Sequence, residues 1–509
     1  MHGQNHLIGK LSAAAARAPE APCVVRVGTG ETLTRGAFWA GAERMAGAFA
    51  AAGVTPGDRV ALQTEKSVEA LQAIYGALMA GAAVLPLNPG FTDEETGYFL
   101  GDAEPAVFVC DPRRAEALGR IAAEEGVGLT MTLAADGTGA LATAAAGAAF
   151  PGAAIRRADD LAALLYTSGT TGRSKGAMLT HGNLAVNAEA LVEIWAIAEA
   201  DALLHALPIF HTHGLFVATN TALLAGATMR LHAKFDAAAA LADLPHATLM
   251  MGVPTFYTRL LDQPGLHAAA AGMRLFISGS APLRAEDHEA WTAATGHAIL
   301  ERYGMTETGM LTSNPYEGAR RAGTVGHPLP GVELLVADPS TGEALPDGET
   351  GSIEVRGPNV FRGYWRMPEK SAEAFRPSGF FVTGDLGRID PDGYLSIVGR
   401  AKDLIISGGF NVYPKEVESV IDSVEGVAES AVIGVPHPDF GEAVTAVVVR
   451  LPGAAVDAAA ILAETAARLA RYKQPKAVFF ADALPRNAMG KVQKNVLAKT
   501  HARAFARDA

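Results

Sequence analysis

The run Thr167-Ser168-Gly169-Thr170-Thr171-Gly172-Arg173-Ser174-Lys175-Gly176 follows directly on the apolar stretch 161–166. A glycine-rich loop after a strand turns several backbone N–H groups and hydroxyls toward one point. A lysine at its end adds a positive charge, and the natural guest is a polyphosphate. The run therefore predicts a nucleoside triphosphate held by Thr167, Ser168, Gly169, Thr170, Thr171 and Lys175. It departs from the Walker pattern, because the second glycine position after Gly169 holds Ser174, followed by Lys175 and Gly176.

The elements that must position this loop come from hydrophobic periodicity. Residues 59–63 and 83–87 read as strands, while 35–52 and 68–79 carry apolar residues at helical spacing. Such alternation predicts parallel sheets covered by helices. After about residue 330 the texture changes to shorter strands with turns such as Asp338-Pro339-Ser340-Thr341-Gly342 and Asp390-Pro391-Asp392-Gly393. Past Arg400 a separate unit reads as helix 415–423, strands 428–435 and 443–451, helix 457–469 capped by Asp457, and strand 477–480. The expected fold is α/β. A large N-terminal domain, 1–399, has helix-covered β-sheets and a small β subdomain, and a small α+β domain, 400–509, follows it.

Composition narrows the partners. The net charge of −12, from 42 basic and 54 acidic residues without long like-charge blocks, argues against nucleic acid or an anionic membrane surface. No stretch of eighteen strongly apolar residues suggests a spanning helix. Cys23 and Cys110 lie far apart with no metal or redox spacing, and a cytoplasmic protein is expected. Oligomeric state is not readable from the chain.

Five further motifs follow in order. They are Glu301-Arg302-Tyr303-Gly304-Met305-Thr306-Glu307-Thr308, Thr383-Gly384-Asp385, Gly399-Arg400-Ala401-Lys402-Asp403, Ser407-Gly408-Gly409, and Pro485-Arg486-Asn487-Ala488-Met489-Gly490-Lys491. With the loop at 167–176 the chain resembles the adenylate-forming superfamily of acyl- and aryl-CoA synthetases, carrier-protein adenylation domains and firefly-type luciferases. The resemblance runs from about residue 20 to 497. It implies ATP, Mg²⁺ and coenzyme A, with catalysis by Lys491, Thr306 and Glu307. Glu307 would hold Mg²⁺, a hard cation that takes one or two carboxylates plus phosphate oxygens, and Thr306 would contact the α-phosphate. Tyr303 would stack on adenine beside Gly279-Ser280-Ala281, and Glu301, Arg302 and Gly304 in the same segment would belong to the ATP site. Asp385 and Arg400 would take the ribose hydroxyls. Lys491 would be the mobile lysine of adenylation and Lys402 the hinge, with Ser407, Gly408 and Gly409 lining the coenzyme A tunnel in a mobile C-terminal domain.

The acyl group is addressed by Pro208-Ile209-Phe210-His211-Thr212-His213-Gly214-Leu215, Pro254-Thr255-Phe256-Tyr257-Thr258-Arg259, and Phe276-Ile277-Ser278-Gly279-Ser280-Ala281-Pro282. This version resembles malonyl-CoA synthetases. The resemblance implies that Arg259 and His213, assisted by Ser280, bind the distal carboxylate of malonate, with methylmalonate tolerated. A guanidinium suits that role through two parallel charge-assisted hydrogen bonds. A ligase for another short-chain or aromatic acid, and a freestanding enzyme that loads a carrier protein, stay open as alternatives.

Overall fold

The structure is a computed structural model that describes residues 2–167, 174–486 and 491–505. It divides into two compact units, Met1–Glu333 with Arg356–Phe375, and Leu334–Val355 with Arg376–Ala509.

The first unit is built on two sheets. The six-stranded sheet has the order Leu129–Thr132, Val107–Cys110, Arg59–Gln63, Ala83–Pro86, Leu161–Thr167, Lys175–Thr180, with only the last pair antiparallel. The nine-stranded sheet carries Leu300–Met305, Leu275–Ser278, Leu249–Gly252, Ala202–His205 and Thr228–Leu231 as parallel neighbours. Helix Val68–Met79 is buried over every residue except Glu69, which is what a helix apolar all round requires. The Ser67 hydroxyl caps it, accepting from the Ala70 amide at 3.0 Å. Beside the second sheet, Tyr257, Phe276 and Trp291 pack edge to face in one apolar cluster.

In the second unit Gly351–Arg356, Phe381–Ile389 and Leu395–Arg400 pair antiparallel, as the turn-rich texture predicts. A further five-stranded sheet is covered by helices Pro414–Asp422 and Ala458–Arg468, around Ile405, Val417, Ile421, Val432, Val444 and Ile461. Asp457 caps the second helix, accepting from the Ala460 amide at 2.8 Å. Strands Ile405–Ser407 and Phe410–Val412 are joined by Gly408 and Gly409 alone, at φ 59° and 82°. A two-residue hairpin turn with positive φ at both positions all but demands glycine. The architecture is the expected mixed α/β fold with a large N-terminal and a smaller C-terminal part.

Candidate active site

The glycine-rich run joins two antiparallel strands, with Thr167 opposite Lys175, rather than a strand and a helix. Ser168, Gly169, Thr170 and Thr171 lie outside the described residues. The rim of the loop is held from the side, because the Tyr98 hydroxyl donates to the Ser174 carbonyl at 2.7 Å. The Lys175 ammonium rests 4.2 Å from the centre of the Tyr364 ring, and the Tyr364 hydroxyl donates to Glu307 Oε1 at 3.1 Å. One tyrosine thus ties the loop lysine to the carboxylate expected to hold the metal.

Thr306, Glu307 and Thr308 form the turn between Leu300–Met305 and Gly309–Ser313, paired in register Met305 to Gly309. The turn places Glu307, 5% exposed, at the end of the sheet. Among the described residues no group of three or more His, Cys, Asp or Glu converges as a metal cage. A lone carboxylate such as Glu307 is the kind of protein ligand that Mg²⁺ takes when phosphate oxygens and water complete its shell. Tyr303 is buried on the same strand, and Glu301 Oε1 accepts from the Leu283 amide at 3.3 Å.

The acid was expected to meet His213, Ser280 and Arg259. His213 is buried, and its Nδ1 lies 3.1 Å from Ser280 Oγ. Ser280 holds φ at 71°, a strained value for a residue with a side chain, of the kind that functional sites retain. No hydrogen bond joins Arg259 to this pair among the described residues. Helix Pro254–Leu261 buries Pro254, Tyr257 and Leu260, and Arg259, two residues beyond Tyr257, falls on the opposite, exposed side.

The guanidinium beside His213 belongs to Arg302. It is 3% exposed, its Nε and Nη2 meet no acceptor, and it makes no ion pair among the described residues. Burial pulls its pKa down to about 10. Gly279 leaves the space that Arg302 fills, since a Cβ there would lie 2.4 Å from the guanidinium carbon. Burial, then the charge of Arg302, drives the pKa of His213 well below its usual value and that of His211 to about 4, so both rings are neutral. His213 Nε2 also lacks a protein partner. In the tautomer where the Ser280 hydroxyl donates to Nδ1, Nε2 keeps its hydrogen for a ligand oxygen. Strand parity carried the missing signal: Tyr303 and its neighbour Arg302 must face opposite sides of one strand.

In the second unit Asp385 and Arg400 stand opposite each other on adjacent strands, Nε to Oδ1 at 2.7 Å. Lys402 lies in the short helical turn Ala401–Asp403 directly after. Lys491 keeps exposed surface, yet crowding by the protein, with Arg400 and Lys402 nearby, lowers its pKa to about 8 against the pull of Asp385.

The AMP-binding enzyme family matches residues 11–365, and the AMP-binding enzyme C-terminal domain matches residues 416–491. The chain belongs to the AMP-binding enzyme family. ATP-bound MatB from Rhodopseudomonas palustris superposes with a TM-score of 0.96 at 54% identity, over 98% of this chain and 100% of that one. A feruloyl-CoA synthase from an Amycolatopsis species is 38% identical over 496 residues, 96% of this chain and 98% of the relative. A malonate–CoA ligase from Arabidopsis thaliana is 33% identical over 484 residues, 88% of this chain and 79% of the relative. This member of the AMP-binding enzyme family is an AMP-forming acid–thiol ligase, and enzymes of this kind use ATP and coenzyme A.

Proposed function

We propose that the protein is a malonyl-CoA synthetase. A malonate carboxylate oxygen attacks the α-phosphorus of ATP, and pyrophosphate leaves. The thiol of coenzyme A then gives up its proton, its sulfur attacks the acyl carbon, and AMP departs. The observation that supports malonate is the buried Arg302 with unmet donors beside His213 and Ser280. A second carboxylate supplies the missing charge and acceptors at once. Arg302 therefore takes the role the sequence reading gave to Arg259.

The remaining roles are our assignments. Lys175 and the loop before it hold the departing pyrophosphate, and Thr306 meets the α-phosphate. Glu307 would hold Mg²⁺, which when bound neutralises phosphate charge. Tyr303, with Gly279, Ser280 and Ala281 nearby, takes the adenine. In the second unit Asp385 and Arg400 take the ribose, and Lys491 stabilises the adenylation transition state. Lys402 is the hinge between domains 1–399 and 400–509, and Ser407, Gly408 and Gly409 line the thiol's path. A cytoplasmic setting agrees with two free, buried thiols, whose pKa values burial raises to about 12 at Cys23 and about 11 at Cys110.

One relative is a feruloyl-CoA synthase, but an aromatic acid would leave the Arg302 charge buried without a partner. Pyrophosphate release across acetate, propionate, malonate, methylmalonate, octanoate, benzoate and ferulate tests the proposal. Malonate should lead, and a lead by benzoate or ferulate would reject it.

A further inference from the structure

Lys66 and His205 have no place in the roles above, yet together they reach the turn that carries His213. His205 ends the strand Ala202–His205 and is 1% exposed. Its Nε2 lies 2.9 Å from the Gly214 carbonyl oxygen and 3.0 Å from the Thr219 hydroxyl. A carbonyl only accepts, so Nε2 carries the hydrogen and Nδ1 of the neutral ring is an acceptor. Facing Nδ1 at 3.0 Å is Lys66 Nζ, which donates there and to the His205 carbonyl at 2.8 Å. No carboxylate pairs with Lys66 among the described residues, so the imidazole is its side-chain partner.

The Gly214 carbonyl takes a second donor, the Thr219 hydroxyl at 2.8 Å. It lies in the first turn of the π-helical stretch His213–Thr219, one residue after His213. Wide π turns are uncommon and recur at functional sites. Lys66 follows the strand Arg59–Gln63 of the six-stranded sheet, whereas His205 belongs to the nine-stranded one. The hydrogen-bonded chain therefore crosses from one sheet to the other before it reaches the acid-binding histidine.

We propose that Lys66 and His205 are positioning residues for acyl selectivity: Lys66 orients the His205 ring, whose Nε2–H pins the Gly214 carbonyl and so aims His213 at the distal carboxylate. This rests on the malonate reading above.

The test compares full-length wild type, Lys66→Met, Lys66→Arg, His205→Ala and His205→Gln. It measures kcat/KM for malonate and butyrate, KM for ATP, and the ¹⁵N signals of the His205 ring. Lys66→Met should cut kcat/KM for malonate about tenfold through KM, the size of one lost hydrogen bond. Butyrate turnover and KM for ATP should stay within about twofold, and the His205 Nδ1 signal should shift as it loses its donor while Nε2 stays protonated. Lys66→Arg should restore both. If Lys66→Met does not fold, the histidine pair decides: His205→Gln keeps an N–H for Gly214 and should hold the malonate preference that His205→Ala loses. Equal losses for both acids with a raised KM for ATP would make the pair a strap between sheets and overturn the proposal. So would unchanged selectivity. A wild type without malonate preference would fail the substrate reading instead, and the nitrogen signals of Lys66→Met would still decide the relay.

Discussion

Arg302 carries the substrate assignment, and its environment sets the size of the effects. It is a buried cation whose Nε and Nη2 lack acceptors, and stranding one member of a buried ion pair costs about 3 to 5 kcal/mol. Arg302→Met should therefore lower kcat/KM for malonate by roughly two to four orders of magnitude while sparing or improving weak butyrate turnover. Arg259→Met, on the exposed helix face, should stay within about threefold, a surface substitution in effect. Steady-state kinetics with both acids checks the pair, and the opposite ranking would return the role to Arg259. Gly279→Ala would press a methyl group on the guanidinium and should depress malonate turnover before it affects KM for ATP. The resemblance to malonyl-CoA synthetases implied one acid site for His213 and Ser280, and the structure brings them to 3.1 Å. The sequence did not show which arginine joins them, because Arg302 sat inside a motif already given to ATP. A helix start after Pro254 also says nothing of where Arg259 faces until the inward side is known.

Among the elements, the hairpin at Gly408 and Gly409 and the segment before Lys491 make separable claims. A β-branched residue resists the positive φ that Gly409 holds at 82°. Gly409→Val should slow thioester formation from supplied malonyl-adenylate at least about tenfold and leave pyrophosphate release near wild type. Stopped-flow assay of each half-reaction separates the two. Lys491 must be an ammonium to act on phosphate, and its pKa is lowered to about 8. Because kcat/KM reports the free enzyme, the adenylation rate should fall as pH rises through about 8, while below that pH the lysine stays charged. An adenylation profile flat to pH 9.5, or the same fall in the thioester step, would count against this lysine. Element positions were the most legible feature of the chain. Strand Arg59–Gln63 and helix Val68–Met79 fall where periodicity puts them, and Asp457 caps its helix. The π-helical turn His213–Thr219 was not legible, since it depends on the Gly214 carbonyl meeting donors from His205 and Thr219, a tertiary arrangement.

For the whole molecule, the proposed two-step reaction asks the second unit to serve both steps, Lys491 in adenylation and the Gly408-Gly409 hairpin in thioester formation. The change of texture near residue 330 was readable from turn density. How contacts group the strands was not, since 334–355 cluster with the C-terminal residues through sheet pairing distant in sequence. Lys402→Pro fixes φ in the turn Ala401–Asp403 and should stop rotation about it. Adenylate should still form and the thioester should not, so pyrophosphate release continues while malonyl-CoA is lost; a surviving overall rate would move the hinge elsewhere. The central claim is that this AMP-forming ligase selects an acid with a second carboxylate. Its most direct test is the ratio of kcat/KM for malonate to that for butyrate in the wild-type enzyme. The buried Arg302 predicts a ratio of roughly 10² to 10⁴, and a ratio near one, or a higher kcat/KM for benzoate or ferulate than for malonate, would contradict it.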